Sequence, residues 1–271
     1  MRIYPETYTM TDNNNRRILA MALFVAILPG CATQPTLSED ESDPLEGTNR
    51  AIYDFNETLD AHVMRPVAEF YVDYTPELVR DGVTNFFNNL GYINVIFNEV
   101  LQGKLKQSVA DIGRFTINST LGIGGFIDIA SAGSVPKHDE DFGQTLGVWG
   151  VDEGAYLVLP VLGPSSARDV PRYITSTLLN PLFYITGAIS SPAGVLGAVN
   201  ERSNFLEATR LRDEAALDPY TFTREAYRQR RLNDIYDGNP PLEDLDQGEA
   251  GDEGEAGDKG EEATDNVLRI E

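Results

Sequence analysis

Apolar residues recur at three- and four-residue spacing along most of the chain, whereas the alternation typical of strands is almost absent. An Asp-Pro pair at 43–44 places an N-cap before a proline in the first helical turn, and Ile52, Phe55 and Leu59 follow at helical spacing. The predicted helices cover about residues 44–62, 66–74, 75–89, 91–101, 104–121, 141–146, 165–179, 200–216 and 219–236. We therefore predict an all-α fold.

Glycine and proline set the predicted breaks between these helices. Gly91 separates the third helix from the fourth, and Pro160 prevents the apolar run 156–162 from forming a regular helix. Pro181 and Pro192, with several glycines, are predicted to cut the region before residue 200 into short pieces. The pattern indicates a bundle of broken amphipathic helices without an internal repeat.

The N-terminal region has the pattern of a secretory signal. Arg16 and Arg17 precede the apolar run 18–28, which is shorter than the ~20 residues that a membrane-spanning helix needs. The Leu-Pro-Gly-Cys sequence that follows resembles the lipobox of bacterial lipoproteins, so Cys31 is the predicted lipidation site. Ala32 occupies the position where an aspartate would indicate retention at the inner membrane. The alternative is an ordinary signal peptide with a chance cysteine.

Composition divides the chain into four predicted parts and excludes one class of partner. They are a signal peptide over 1–30 with a possible true start at Met10, a polar tether over 31–42, a helical domain over 43–237 and a disordered acidic tail over 238–271. The tail carries twelve acidic residues against Lys259 and Arg269. A net charge of −22 does not suit nucleic-acid binding, and the single cysteine leaves no disulfide.

Charged residues are missing from three long stretches. Residues 82–98 and 173–200 contain none, and residues 115–136 contain only Asp128. One interpretation is that these are buried core helices. The other is that they face lipid, where an ionised side chain costs several kcal/mol. Because Asn180 and other breaks forbid a simple spanning helix, the second interpretation predicts a body sunk into one membrane leaflet around a polar passage.

Several short segments, in a fixed order along the chain, resemble a known family. They are Asp43-Pro-Leu-Glu-Gly-Thr-Asn-Arg50, Tyr53-Asp-Phe-Asn56, Arg65-Pro-Val67, Asn85-Phe86, Asn89-Leu90, Leu101-Gln-Gly103, Arg114-Phe115, Asn118 to Asp128, Phe142 to Gly147, Gly154 to Tyr156, Leu159-Pro160, Gly163-Pro164, Arg168-Asp169, Asp218-Pro-Tyr220 and Arg224 to Tyr227. On these residues the chain is similar to the MlaA (VacJ) family of outer-membrane lipoproteins. The acidic tail lies outside the resemblance.

The resemblance implies a ring-like helical body in the outer membrane, on its periplasmic side, around an amphipathic channel. Such proteins remove mislocalised phospholipids from the outer leaflet and associate with trimeric porins. They pass the lipid to a soluble periplasmic carrier for retrograde transport to the inner membrane, which maintains lipid asymmetry. The resemblance implies no cofactor and no catalytic activity.

Two sets of candidate site residues follow from the matching segments. Asn49, Tyr53, Phe55 and Asn56 are the candidates for the channel and its gate. The resemblance places Phe55 and Asn56 in a segment thought to control channel opening. The alternative for Phe55 is ordinary core packing.

Lipid contacts are predicted at a glycine-rich turn and at one arginine. Gly122, Gly124 and Gly125 could cradle a phosphate with their backbone N–H groups, although hinge or close-packing glycines are the favoured alternative. Phe126 lies beside them as a candidate contact. Arg168 could bind lipid phosphates at the membrane interface. The alternative is that Arg168 lies on a solvated helix face.

An enzyme and a passive scaffold are the competing classes. His62 and His138 lie in neither a Gly-x-Ser-x-Gly motif nor a metal-ligand spacing. A metal site in the run His138 to Asp141 is conceivable, but a solvated turn is the favoured interpretation, and no metal is predicted. A scaffold lipoprotein associated with porins has no need for charge-free helices, whereas a lipid conduit does.

Overall fold

The computed structural model describes residues 43–241, so the predicted signal peptide, Cys31, the tether and nearly all of the acidic tail lie outside the described residues. The elements, in order, are α1 Glu46–Leu59, a π-helical segment Asp60–Met64, α2 Arg65–Tyr74, α3 Glu77–Leu101, α4 Leu105–Thr120, α5 Ile129–Ala132, α6 Phe142–Val148, β1 Tyr156–Leu159, β2 Gly163–Ser166, α7 Pro171–Leu179, a 3₁₀ turn Pro181–Tyr184, α8 Gly187–Asn204, α9 Leu206–Ala215 and α10 Pro219–Ile235. Helices dominate, which confirms the predicted fold class.

Contacts between the elements form a closed circuit. Helix α1 packs on β1, its partner strand β2 packs on α10, and α10 packs on α6. From there α6 contacts α7, α7 contacts α3, α3 contacts α8, and α8 contacts α2. The π-helical segment joins α2 back to α1, and α4 packs beside the circuit along α3. This closed order is the arrangement expected of a ring-like bundle.

Three of the predicted helix breaks are wrong. The chain stays helical between residues 62 and 66, where the π-helical segment joins α1 to α2. Helix α3 continues through Gly91, where a side chain would meet open space, because one glycine costs only about 1 kcal/mol in a long helix. Helix α8 begins at Gly187 rather than near residue 200 and contains Pro192. That proline lies in the second turn of the helix, so it removes one backbone hydrogen bond near the end without stopping the helix.

A short hairpin replaces the predicted start of one helix. Residues 156–159 pair antiparallel with residues 163–166, with Tyr156 opposite Ser166. Ser165 and Ser166, predicted to cap a helix, are buried in β2, and α7 begins only at Pro171. The prediction failed because the two strands are short, and a four-residue strand shows too little alternation to be recognised.

Much of the interior of the described residues is polar, beside a small core of tyrosines and Val158. Helix α4 illustrates this, since its buried positions are polar and its apolar positions face outward. The buried residues are Ser108, Asp111, Arg114 and Asn118. The exposed apolar residues are Leu105, Val109 and Ile112. A water-soluble helix has the reverse arrangement, so this helix is oriented for an apolar surrounding.

The uncharged stretch 173–200 lies largely on the surface. Helix α7 and the 3₁₀ turn bury no residue, and α8 buries only Asn200. Ile189 and Val195 on α8 are 60% and 66% exposed. The buried-core interpretation of residues 173–200 is therefore wrong. Within the described part of the chain, none of the helices combines the length and apolarity needed to cross a membrane.

Candidate functional site

Two asparagines of the predicted gate segment fasten α1 to the hairpin. The side chain of Asn49 donates to the Tyr156 carbonyl and accepts from the Val158 N–H, both at 2.9 Å. Two turns later, Asn56 donates to the Leu159 carbonyl at 2.9 Å and accepts from the Val161 N–H at 2.8 Å. Each amide therefore satisfies one donor and one acceptor of the strand edge, as a neighbouring strand would.

Tyr53 and Phe55 lie in different surroundings. The Tyr53 ring is buried and meets Tyr220 edge-on, with ring centroids 5.6 Å apart. Phe55 is 54% exposed, so the core-packing alternative is wrong for this residue. The structure thus brings Asn49, Tyr53 and Asn56 together against the hairpin and the last helix and leaves Phe55 outside that contact. The gating role of Phe55 remains a prediction.

Helix α10 supplies buried arginines that hold the circuit closed. Arg231 donates from Nε to Asp169 at 2.8 Å and forks onto both oxygens of Asp141 at 2.7 and 2.9 Å. The Tyr227 hydroxyl also donates to Asp169. Burial alone would raise the pKa of Asp169, but the charge of Arg231 and hydrogen bonds from Arg168 and Tyr227 lower it to about 2. The carboxylate therefore stays ionised inside the protein.

Arg168 belongs to this ion network. Its Nε donates to Asp169 at 3.0 Å, and only 7% of its side chain is exposed. The solvated-face alternative is therefore wrong for Arg168, and its guanidinium is already committed in part to an internal carboxylate. Contact with a lipid phosphate remains a prediction for this residue.

The glycine-rich turn is built by close packing. A Cβ on Gly122 would lie 2.1 Å from the Ile127 carbonyl oxygen, and one on Gly125 would lie 2.6 Å from the Asn89 Cβ. The N–H groups of Gly122, Gly124 and Gly125 donate to carbonyls of the last turn of α4. Since these donors are used, the geometry supports the close-packing alternative over a phosphate cradle.

The same turn presents apolar side chains outward. Leu121 and Ile123 are 66% and 69% exposed, and Phe126 is 45% exposed while it stacks on Phe86 at 4.9 Å. From beneath, the fully buried Arg114 donates to the Tyr92 hydroxyl, the Val135 carbonyl, Asp128 and Ser131. An internal arginine thus supports a turn whose surface is apolar. Lipid contact by Phe126 stays a prediction.

A cavity of about 270 Å³ opens between α3, α7 and the loop before α6. Its wall is half polar and half apolar. The polar residues are Asn88, Tyr92, Asn94, Lys137, His138, Asp139, Ser176 and Asn180, and the others are Phe87, Leu90, Gly91, Val95 and Leu179. Lys137 makes no ion pair with any residue from 43 to 241. The cavity therefore combines the positive charge of Lys137, the carboxylate of Asp139, amide groups and apolar surface.

The loop at 138–141 is not the solvated turn that the sequence predicts. Glu140 is buried and pairs with Lys104 at 2.7 Å, and Asp141 caps α6. His138 lies 2.7 Å from Asp111 and 3.7 Å from Glu99, both of which are fully buried. The sequence does not reveal this cluster because its three residues come from two helices and a loop, and only the path of the chain brings them together. The asparagines of α3 were a usable signal for the cavity wall, since amides are unusual on an otherwise apolar helix.

The fold and the site together define a class of helical protein whose apolar side chains face outward and whose ionic and amide groups lie inside. Residues 41–234 match the family model described as MlaA lipoprotein. The chain belongs to this family, as its sequence motifs indicated.

Characterised relatives match over most of their length. The chain is 39% identical over 219 residues to the intermembrane phospholipid transport system lipoprotein MlaA of Shigella flexneri, which covers 79% of this chain and 86% of that protein. The protein of the same name from Escherichia coli strain K12 is 38% identical over the same shares. The protein of the same name from Haemophilus influenzae is 32% identical over 230 residues, which are 82% of this chain and 92% of that protein.

A solved structure has the same fold. It comes from work on the structural basis for maintenance of bacterial outer membrane lipid asymmetry. The two chains superpose with a TM-score of 0.64 at 35% identity, over 73% of this chain and the whole of the other. The relatives are named for lipid transport, not for catalysis.

Proposed function

We propose that this protein is an outer-membrane lipoprotein that removes mislocalised phospholipids from the outer leaflet through an amphipathic passage and so maintains lipid asymmetry. The observation that carries the proposal is the reversed distribution of side chains. Polar residues such as Arg114 and Asn98 are fully buried, whereas the apolar residues of α4 and α8 are exposed. A body of this kind is stable where its surface meets acyl chains and its interior holds polar groups.

The cavity beside α3 offers a chemical environment suited to a phospholipid. Lys137 would neutralise the phosphate, and Asn88, Asn94 and Asn180 would hydrogen-bond the headgroup. The apolar part of the wall would shield the first methylene groups of the acyl chains from water. The proposed mechanism is therefore binding and passage, with the driving force supplied by partner proteins.

The finer features of the proposal concern anchoring and partners. Acylation of Cys31 would tether the domain to the periplasmic side of the outer membrane, since two or more acyl chains anchor a protein stably. We further propose that trimeric porins hold the body in place and that a soluble periplasmic carrier receives the lipid. Both follow from the family resemblance of the sequence.

Bound lipid separates a conduit from a non-transporting scaffold. The mature lipoprotein is purified in detergent, and its phospholipid is extracted and quantified by mass spectrometry. A conduit retains phospholipid in a fixed ratio, and Lys137→Glu lowers that ratio by placing a negative charge beside the phosphate. Arg210→Glu, on the exposed surface of α9, is the matched control. Wild-type protein without phospholipid in a fixed ratio would favour the scaffold, and equal retention by Lys137→Glu would exclude the role of Lys137.

A further inference from the structure

Three side chains from separate elements converge beneath the cavity. Glu99 lies near the end of α3, Asp111 lies on α4, and His138 lies in the loop before α6. One potential ligand atom from each lies within 4.8 Å of the others. Both carboxylates are fully buried, whereas 23% of the His138 side chain is exposed.

Three of the four buried carboxylate oxygens of this cluster lack donors within residues 43–241. They are both oxygens of Glu99 and Oδ1 of Asp111, whereas Oδ2 of Asp111 contacts His138. Lys104, whose charge acts on Glu99, donates instead to Glu140 at 2.7 Å and to Asp237 at 2.6 Å. Two adjacent carboxyl groups buried without sufficient positive charge are costly unless a proton or a cation lies between them.

Glu99 and Asp111 are both fully buried, so their carboxylates repel each other when both are ionised. The cluster therefore favours a positive partner. A divalent cation would replace the missing charge and coordinate the oxygens that now lack donors.

We propose that Glu99, Asp111 and His138 bind one divalent transition-metal ion of the zinc type. An imidazole combined with carboxylates favours such an ion over magnesium or calcium, which take oxygen ligands only. Zinc ligands lie about 2.1 Å from the metal and hence about 3.4 Å from each other in a tetrahedral site. The present separations of 2.7 Å from His138 to Asp111 and 3.7 Å from His138 to Glu99 bracket that value, so small side-chain rotations create the site.

The position of the cation gives it a structural role beyond the proposed transport. It would join α3, α4 and the loop that contains Lys137, and His138 and Lys137 both line the cavity. The ion would therefore fix the loop that forms one wall of the cavity. The proposed metal site depends only on the geometry of Glu99, Asp111 and His138. It is therefore independent of whether the passage carries phospholipid.

Metal binding is tested on the mature lipoprotein in detergent, without a histidine tag and after treatment with a chelator. Zn²⁺ is titrated by equilibrium dialysis, with Mn²⁺ and Ca²⁺ in parallel, and thermal unfolding is followed with and without the metal. We expect one equivalent of Zn²⁺ and an unfolding temperature raised by several degrees. Asp111→Asn and His138→Gln should each weaken binding at least about tenfold. His62→Gln is the matched control, because His62 lies on an exposed part of the π-helical segment.

Two results would overturn the proposal. One is the absence of stoichiometric binding, and the other is binding that His138→Gln and His62→Gln reduce equally. Glu99→Gln guards against misfolding, since an amide can donate to Asp111 and should retain the native circular dichroism spectrum while it loses the metal. A proton shared between Glu99 and Asp111 is the alternative to a metal, and it would show itself as an unfolding temperature that neither Zn²⁺ nor the chelator changes.

Discussion

The Asn49 side chain and the Tyr156 backbone are joined by a 2.9 Å hydrogen bond across 107 residues of sequence. The same amide also donates to Asp43 and accepts from the Val158 N–H, each at 2.9 Å. All of these groups are buried. One side chain thus satisfies several polar groups that water cannot reach, which explains how a predicted gate residue fastens the first helix to the hairpin.

Removal of this amide should be costly. Asn49→Ala leaves a buried N–H and a buried C=O without partners, and we expect a loss of about 3 kcal/mol in the free energy of unfolding. Asn56→Ala breaks an equivalent pair closer to the surface, where water can replace the amide, and should cost about 1 kcal/mol. Denaturant unfolding in detergent measures both. Equal losses would show that burial does not set the difference.

Phe55 should influence transport without supporting the fold. Because the ring is 54% exposed, Phe55→Ala should change the free energy of unfolding by less than about 0.5 kcal/mol. If the residue gates the passage, cells with the variant should show altered outer-leaflet phospholipid at normal protein level. Asp54→Asn, an exposed neighbour, serves as control. Wild-type lipid asymmetry in Phe55→Ala cells would exclude the gate.

Acid should weaken the fold through Asp169. Its pKa is lowered to about 2 in the folded protein from an ordinary value of 3.8, so the folded state binds this proton less readily than the unfolded state. The stabilisation is therefore present above about pH 4 and is lost as the pH falls towards 2, with a size of about 2 kcal/mol. Asp169→Asn should be less stable at pH 7 and lose less stability between pH 4 and 2. If the free energy of unfolding of the wild type and of Asp169→Asn fell equally between pH 4 and 2, Asp169 would not be the cause of the acid sensitivity.

The exposed apolar residues of α8 should meet lipid. In the unlipidated Cys31→Ala form, Val195→Lys places a charge on the 66% exposed position within the uncharged stretch. If that position enters hydrocarbon, the charge costs about 3 kcal/mol and lowers partition into phospholipid vesicles roughly 100-fold. Arg210→Glu on the neighbouring α9 should have little effect. Vesicle flotation measures the bound fraction, and unchanged flotation of Val195→Lys would place α8 outside the membrane.

Periodicity predicted where most helices lie but not which side of them faces inward. On α4 the spacing of Val109 and Ile112 correctly indicated a helix, yet those residues are exposed while Asp111 and Arg114 are buried. A helical pattern has the same period in either orientation, so only the surrounding medium decides which side is inside. The charge-free stretch 173–200 indicated the surrounding medium, because an exposed stretch of this length in water would contain charged residues.

The ionic interior could not be predicted from the sequence. Arg231 meets Asp141 and Asp169 across 90 and 62 residues, and His138 meets Asp111 across 27. Such pairs depend on the path of the chain between them, and nothing local distinguishes these residues from charges on a solvated helix. The hairpin was missed for a related reason, since its strands gain their stability from Asn49 and Asn56 on a distant helix.

The proposed transport is tested most directly by the amount of phospholipid in the outer leaflet of cells that lack this gene. The cells are complemented with the wild-type gene, with Cys31→Ala, or with no gene, and outer-leaflet phospholipid is labelled and quantified. The account predicts a rise on deletion that the wild type corrects and the unlipidated form does not. Outer-leaflet phospholipid that is unchanged by the deletion would contradict the proposed transport.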